Sequence, residues 1–152
     1  MKARVVPAWI VQFSKSFLQD QTTRLSLGGY IARVMKIDTG ILQGSALSPI
    51  LFLFFACTLL PELQDGTTSA FGFVDDSNII TYSRTTEENC RALEQAHEVC
   101  MRWARCYGAV FALEKYHLMH LTRSYSRFNI AATINIIGFR EGPVANLQVL
   151  GV

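Results

Sequence analysis

The residues Phe73-Val74-Asp75-Asp76 constrain this chain more than any other short stretch. An apolar run, Ala70-Phe71-Gly72-Phe73-Val74, ends on two adjacent carboxylates, and a second run, Ile79-Ile80-Thr81-Tyr82, comes at once after them. Apolar runs of this length, parted by turn-forming residues, predict a strand, a tight turn and a strand, with both acids at the tip. Two carboxylates there cannot both be buried unpaired, because desolvating each charge is costly. They must face water or a cation. Asp is also a favoured turn residue, so the pair taken alone reads as a hairpin turn. It becomes a site only where other segments support it.

The chain has 152 residues, half of them apolar, which suits one domain with a packed core. The net charge of +2 excludes neither a protein nor a nucleic-acid partner. The charge is uneven: residues 1–100 carry eight Lys/Arg against ten Asp/Glu, and residues 101–152 carry six against two. That local +4 leans towards an anionic partner, although a solvated basic surface reads the same way.

Cys57, Cys90, Cys100 and Cys106 form no CxxC pair. Met1-Lys2-Ala3-Arg4 leads into a short amphipathic segment and not a secretory signal. Reduced thiols in an intracellular compartment are therefore expected. His97, Cys100 and Cys106 lie close enough on one helix to suggest zinc, but zinc usually takes four ligands. His117 and His120 alternate faces on an expected strand, which argues against a shared metal. The run from Ile50 to Leu60 is almost wholly apolar and stops at Pro61. It is too short for a membrane span, which needs about 20 residues, and predicts a helix buried on all sides.

Around these landmarks the pattern predicts an α+β fold, an antiparallel sheet with helices packed on one face. A helix opens at Pro7 with Trp9, Ile10, Phe13 and Phe17 at helical spacing. Thr23–Leu27 and Ile31–Ile37 read as strands about a Gly28-Gly29 turn. Ser48-Pro49 reads as a cap and opener for the apolar helix, which runs to about Leu60. Thr85 and Glu88 form a capping box for a long helix that carries Leu93, Ala96, Cys100, Trp103 and Tyr107 and stops at Gly108. Tyr116–Leu121, Phe128–Ile137 and Leu147–Val152 read as further strands.

Two segments support the Asp-Asp turn. Gly40-Ile41-Leu42-Gln43-Gly44-Ser45-Ala46-Leu47-Ser48-Pro49 joins a glycine-flexed loop and an exposed amide to a helix start. Gly44 allows close approach to the backbone, Gln43 can hydrogen-bond a base or backbone, and the helix start offers N–H donors. A plain capped loop has the same residues. Gly108-Ala109-Val110-Phe111-Ala112-Leu113-Glu114-Lys115 is the second, where the Lys115 ammonium could reach a phosphate from just before a strand. Alone it is a surface lysine.

In this order the three segments resemble the palm of a reverse transcriptase, most of all that of LINE-type (non-LTR) retrotransposons, with a fungal cast. The family's second polymerase motif typically reads Gly-x-Pro-Gln-Gly-Ser-Pro-Leu-Ser-Pro. Residues 40–49 match it with Leu42 and Ala46 at two proline positions. The aromatic-x-Asp-Asp box matches Phe73 to Asp76, the lysine motif matches Phe111 to Lys115, and Val149-Leu150-Gly151-Val152 looks like the segment just after the palm.

The resemblance implies an RNA-directed DNA polymerase that acts on an RNA template, a DNA primer and dNTPs with two Mg²⁺ ions. It casts Asp75 and Asp76 as metal ligands and catalytic residues. It casts Gln43, Gly44 and Ser45 as lining for the new base pair, Phe73 as packing beside the primer end, and Lys115 as charge partner or proton donor at the triphosphate. It also implies work in the nucleus, although no basic cluster reads as an import signal. It makes residues 1–152 a partial domain: the family's first metal-ligating Asp and the fingers fall upstream, and the thumb downstream. On that expectation the polypeptide by itself does not polymerise DNA, and the rival is an inactive retroelement remnant or a weak nucleic-acid-binding module. A third reading is an unrelated α+β domain with an incidental Asp-Asp turn.

Overall fold

The computed structural model describes residues 6–38, 40–124, 126–139 and 142–147, which fall into two compact units spanning residues 1–55 and 56–152. In the first unit, helix α1 (Ala8–Leu18) starts where Pro7 fixes φ at −53°. The Pro7 carbonyl accepts from Ile10 N at 3.0 Å and Val11 N at 3.3 Å. At the other end Gln21 Nε2 donates to the Phe17 carbonyl at 3.1 Å, satisfying one of the acceptors a helix leaves open. Trp9 and Phe13 of the apolar stripe stay exposed, and the buried side chain of α1 is Ser14.

The two strands expected at 23–37 are each broken in two. β1 (Thr22–Thr23) pairs antiparallel with β4 (Met35–Lys36), and β2 (Ser26–Leu27) pairs with β3 (Tyr30–Ile31). The break is a one-residue slip. Thr23 faces Met35 and Ser26 faces Ile31, so two residues, Arg24 and Leu25, oppose three, Ala32, Arg33 and Val34. Ala32 N donates to the Leu25 carbonyl at 2.9 Å, which leaves Arg24 opposite the Arg33-Val34 step. That is a β-bulge, which interrupts the ladder and adds twist. The tip is closed by Gly28 (φ +56°) and Gly29 (φ +85°), the pair of positive angles that a two-residue hairpin loop of type I′ needs.

Helix α2 (Ser48–Ala56) is shorter and less covered than its sequence predicts. Leu51 is its buried side chain, while Ile50 and Leu53 are each 52% exposed. An all-apolar helix needs cover on every side, and the described residues supply it on one side. Ser48 does not cap: its hydroxyl donates to the Leu42 carbonyl at 2.6 Å. No helix among the described residues is long and apolar enough to cross a membrane.

The second unit is built on a hairpin and a helix. β5 (Thr68–Phe73) and β6 (Asp76–Thr81) pair antiparallel through six rungs. A 3₁₀ turn (Leu60–Leu63) opening on Pro61 packs against β5, and helix α3 (Thr86–Tyr107) packs against β6. The capping box forms with one adjustment: Thr85 Oγ1 accepts from Glu88 N at 3.1 Å, and Glu88 Oε2 accepts from Arg84 N at 3.2 Å, one residue before the cap. Gly108 ends α3 in the left-handed conformation, φ +69°. The buried face of α3 is Cys90, Ala96, Cys100, Trp103 and Ala104, while Leu93 is half-buried and Tyr107 exposed. Trp103 Nε1 donates to Thr58 Oγ1 at 2.8 Å, and its ring packs against those of Tyr107 and Phe111 at 5.2 and 6.3 Å.

Beyond α3 the expected strands do not form. Tyr116–Leu121 and Phe128–Ile137 have no ladder partner among the described residues. Polar bonds, two of them to side chains of α3, hold this region instead. Asn129 Oδ1 accepts from Ala131 N at 3.2 Å while its Nδ2 donates to Glu87 Oε1 at 2.9 Å, and Glu94 Oε1 accepts from Asn135 N. Phe128–Ile137 is interrupted by a turn, where Ala132 N donates to the Asn129 carbonyl at 3.2 Å, and Tyr116–Leu121 has no edge to join among the described residues. The candidate strand at 147–152 lies outside the described residues apart from Leu147. The α+β class stands, with three separate two-stranded pieces in place of one sheet among the described residues.

His97 sets a pH dependence. Its ring meets Tyr116 edge-on, with centroids 5.8 Å apart, and its Nε2 is buried without a partner among the described residues. Burial holds the imidazole pKa below its ordinary value, against an opposing pull from Glu98. Burial, then Cys100, pushes the Tyr116 hydroxyl up to about 12. The folded chain therefore binds a proton at His97 less readily than the unfolded chain. Its contribution is full above the unfolded value of about 6.5 and is lost as the pH falls from there towards the lower folded value. Urea titrations across this window should show falling stability on acidification, and His97→Phe should flatten that part of the curve.

Candidate active site

The hairpin puts Asp75 and Asp76 where the sequence expects them. Phe73 and Asp76 form the last rung, so Val74 and Asp75 are the two-residue loop. Val74 has φ +53°, a conformation that costs a β-branched residue on the order of 1–3 kcal/mol. Hairpin loops of two residues demand a positive angle at the first position, and Gly or Asn usually supplies it. Here the chain meets the demand with valine, at a cost borne by the ladder behind it. Gly72 allows that ladder to close tightly: a Cβ there would come within 3.2 Å of the Asp76 carbonyl oxygen.

Asp75 and Asp76 are exposed, and neither side chain makes a hydrogen bond or ion pair among the described residues. Phe73 beside them is 60% exposed. Two adjacent anions with no internal counter-charge are suited to a hard cation. Their donors are all carboxylate oxygens, and Mg²⁺ is usually held by one or two carboxylates with the remaining positions left to water and substrate phosphates. No group of three His, Cys, Asp or Glu side chains forms among the described residues. Of the cysteines near His97, Cys100 is buried, which pushes its thiol up to about 11, and Cys106 is exposed.

The other predicted residues are on separate segments. Gln43 and Gly44 form an exposed turn in the first unit, with Gly44 at φ +84°. Ser45 closes it: its hydroxyl oxygen accepts from Leu47 N at 3.2 Å and its carbonyl from Ser48 N at 3.2 Å. Lys115 is in the second unit with the hairpin, exposed, at the end of a short 3₁₀ turn (Leu113–Lys115). Phe73, Asp75 and Asp76 are therefore one cluster, with Lys115 in the same unit.

Asp65 is a positioning residue that sequence reasoning misses. Its Oδ1 accepts from Thr67 N at 2.6 Å, Thr67 Oγ1 at 3.0 Å and Thr68 N at 2.7 Å. These donors, the Thr67 backbone foremost, hold its carboxyl below the usual carboxylate range. The clasp fixes the start of β5, and Tyr82 N closes the base of the hairpin on the Thr67 carbonyl at 3.0 Å. The Asp65-Gly66-Thr67 order is a turn signature present in the sequence. Strain at the tip and a clasp at the base give a direct test. Val74→Gly should stabilise the chain by about 1 kcal/mol, a Tm rise of roughly 2–4 °C, measured by thermal denaturation.

The family described as "Reverse transcriptase (RNA-dependent DNA polymerase)" matches residues 1–152. A curated relative, "RNA-directed DNA polymerase from mobile element jockey" of Drosophila melanogaster, is 26% identical over 117 residues, which is 74% of this chain and 13% of the relative. The chain thus spans a small part of the length of that relative. No solved structure matches the chain significantly. With the family match spanning residues 1–152, the chain belongs to the reverse transcriptase (RNA-dependent DNA polymerase) family.

Proposed function

We propose that this chain is part of the palm of an RNA-directed DNA polymerase of a LINE-type retroelement, and that Asp75 and Asp76 are its metal-holding carboxylates. One observation carries the reading: two adjacent, exposed and unpaired carboxylates at a strained two-residue hairpin tip, in a chain of this family. The family is generally dependent on a divalent metal, and the all-oxygen donor set favours Mg²⁺. The substrates are an RNA template, a DNA primer and dNTPs.

When bound, such ions supply charge neutralisation at the transferring phosphate and activation of the attacking hydroxyl. The chain's own residues supply position. Asp75 and Asp76 offer oxygens from a loop whose register is fixed by six rungs. Phe73, exposed beside them, offers a flat apolar surface to the sugar and base at the primer end. The Gln43 amide offers an NH₂ donor group and a carbonyl acceptor to the new pair, and Gly44 lets that pair approach the backbone. The Ser45 carbonyl and hydroxyl are engaged within the turn, so its role is to hold the turn's shape. Lys115 brings a positive charge to the leaving phosphates and holds a proton that it can deliver there.

A second reading has one observation behind it. Among the described residues the pair gains no third acidic ligand, and positioning of phosphate chemistry depends on complete coordination. On that reading the chain binds nucleic acid without turnover. Metal titration and primer extension separate the two. Mg²⁺ should bind in the millimolar range with NMR shifts centred on residues 74–76, and Asp75→Asn should remove them. Extension of a DNA primer on an RNA template that falls at least about a thousandfold in Asp75→Asn supports the polymerase. Metal binding without extension is what a partial domain is expected to give, and the absence of both would sink the assignment of the site.

A further inference from the structure

The bulged ribbon of residues 21–37 takes no part in the chemistry above. It carries Arg24, Arg33 and Lys36 and no acidic residue. Lys36 is shared with Asp38 at 3.6 Å, but Arg24 and Arg33 have no ion pair among the described residues. The bulge sets these two at facing positions across the ribbon, since Arg24 opposes the Arg33-Val34 step. Like charges facing each other across strands are destabilising, and the fold places no carboxylate within the ribbon to relieve them.

Both faces of the ribbon are open, with every residue from Thr22 to Ile31 exposed. Beyond the arginines, at the glycine tip, Leu27 and Tyr30 are cross-strand partners 84% and 72% exposed. Apolar exposure alone says nothing about a partner. Combined with paired cations it does: a second copy of the same ribbon would bring three more positive charges against these three, whereas a polyanion with flat bases meets both the charge and the ring.

We propose that this ribbon is a nucleic-acid-binding arm, in which Arg24 and Arg33 engage backbone phosphates and Tyr30 packs on a sugar or base. The proposal rests on the polymerase reading, since that is what brings nucleic acid to the molecule.

The test is binding of the full chain to a fluorescent RNA–DNA hybrid, by anisotropy, over a range of KCl. Each phosphate contact contributes about 0.9 to the slope of log K against log[salt]. Arg24→Ala/Arg33→Ala should therefore lower that slope by about 2, and Arg24→Lys/Arg33→Lys should keep it. Arg91→Ala/Arg102→Ala on exposed α3 positions removes the same charge and should leave the slope nearly unchanged. Hydroxyl-radical footprinting of the unmutated complex should show protection at Leu27 and Tyr30. An unchanged slope in the ribbon alanine variant, an equal loss in the α3 variant, or no protection at the tip would overturn the arm while leaving the polymerase assignment standing. Failure of the unmutated chain to bind the hybrid at any salt would overturn both.

Discussion

A two-stranded hairpin does not hold itself together in water, and the packing of α3 against β6 is what holds this one. The helix brings its own stability to that contact. Both ends are capped, by Thr85 and by Gly108, and its buried stripe runs from Cys90 to Ala104. Thr81 Oγ1 donates to the Asn89 carbonyl at 3.3 Å where the two elements meet. On the other strand, the 3₁₀ turn around Pro61 supports β5, and Gln64 Nε2 donates to the Ala70 carbonyl at 3.3 Å. The acidic tip projects from this support. A site that must present two repelling charges in a strained loop needs a rigid base, and the second unit is organised to supply one.

The residues that can be read from the sequence are those whose signal is local. The Asp75-Asp76 turn, the capping box at Thr85 and Glu88, the stop at Gly108 and the Gly28-Gly29 tip each depend on a few neighbouring side chains, and each forms. The capping reciprocity falls one residue early, on Arg84.

The features that are not legible depend on partners. Alternation at Tyr116–Leu121 and at Phe128–Ile137 is compatible with a strand, but a strand needs an edge, and no sequence signal supplies one. The apolar helix α2 reads as fully buried because its composition asks for cover, yet composition does not provide the cover. The bulge at Arg33-Val34 is a third case: it has no glycine to mark it, and only the pairing on either side exposes it. The Asp75-Asp76 pair is legible as a turn with two acids, and the role proposed for it comes from the order of three motifs and not from geometry alone.

The left-handed residue at Gly108 has a further consequence for alignment within the second unit. With φ at +69° it turns the chain out of α3 at once, and Ala109 N bonds back to the Ala104 carbonyl at 3.0 Å. Each residue by which a helix overruns carries the downstream chain about 1.5 Å along its axis and about 100° around it. A single missed stop would therefore swing Lys115 to another side of the helix before it moved it far. The handedness of one residue without a side chain fixes the compass bearing of a lysine seven positions later.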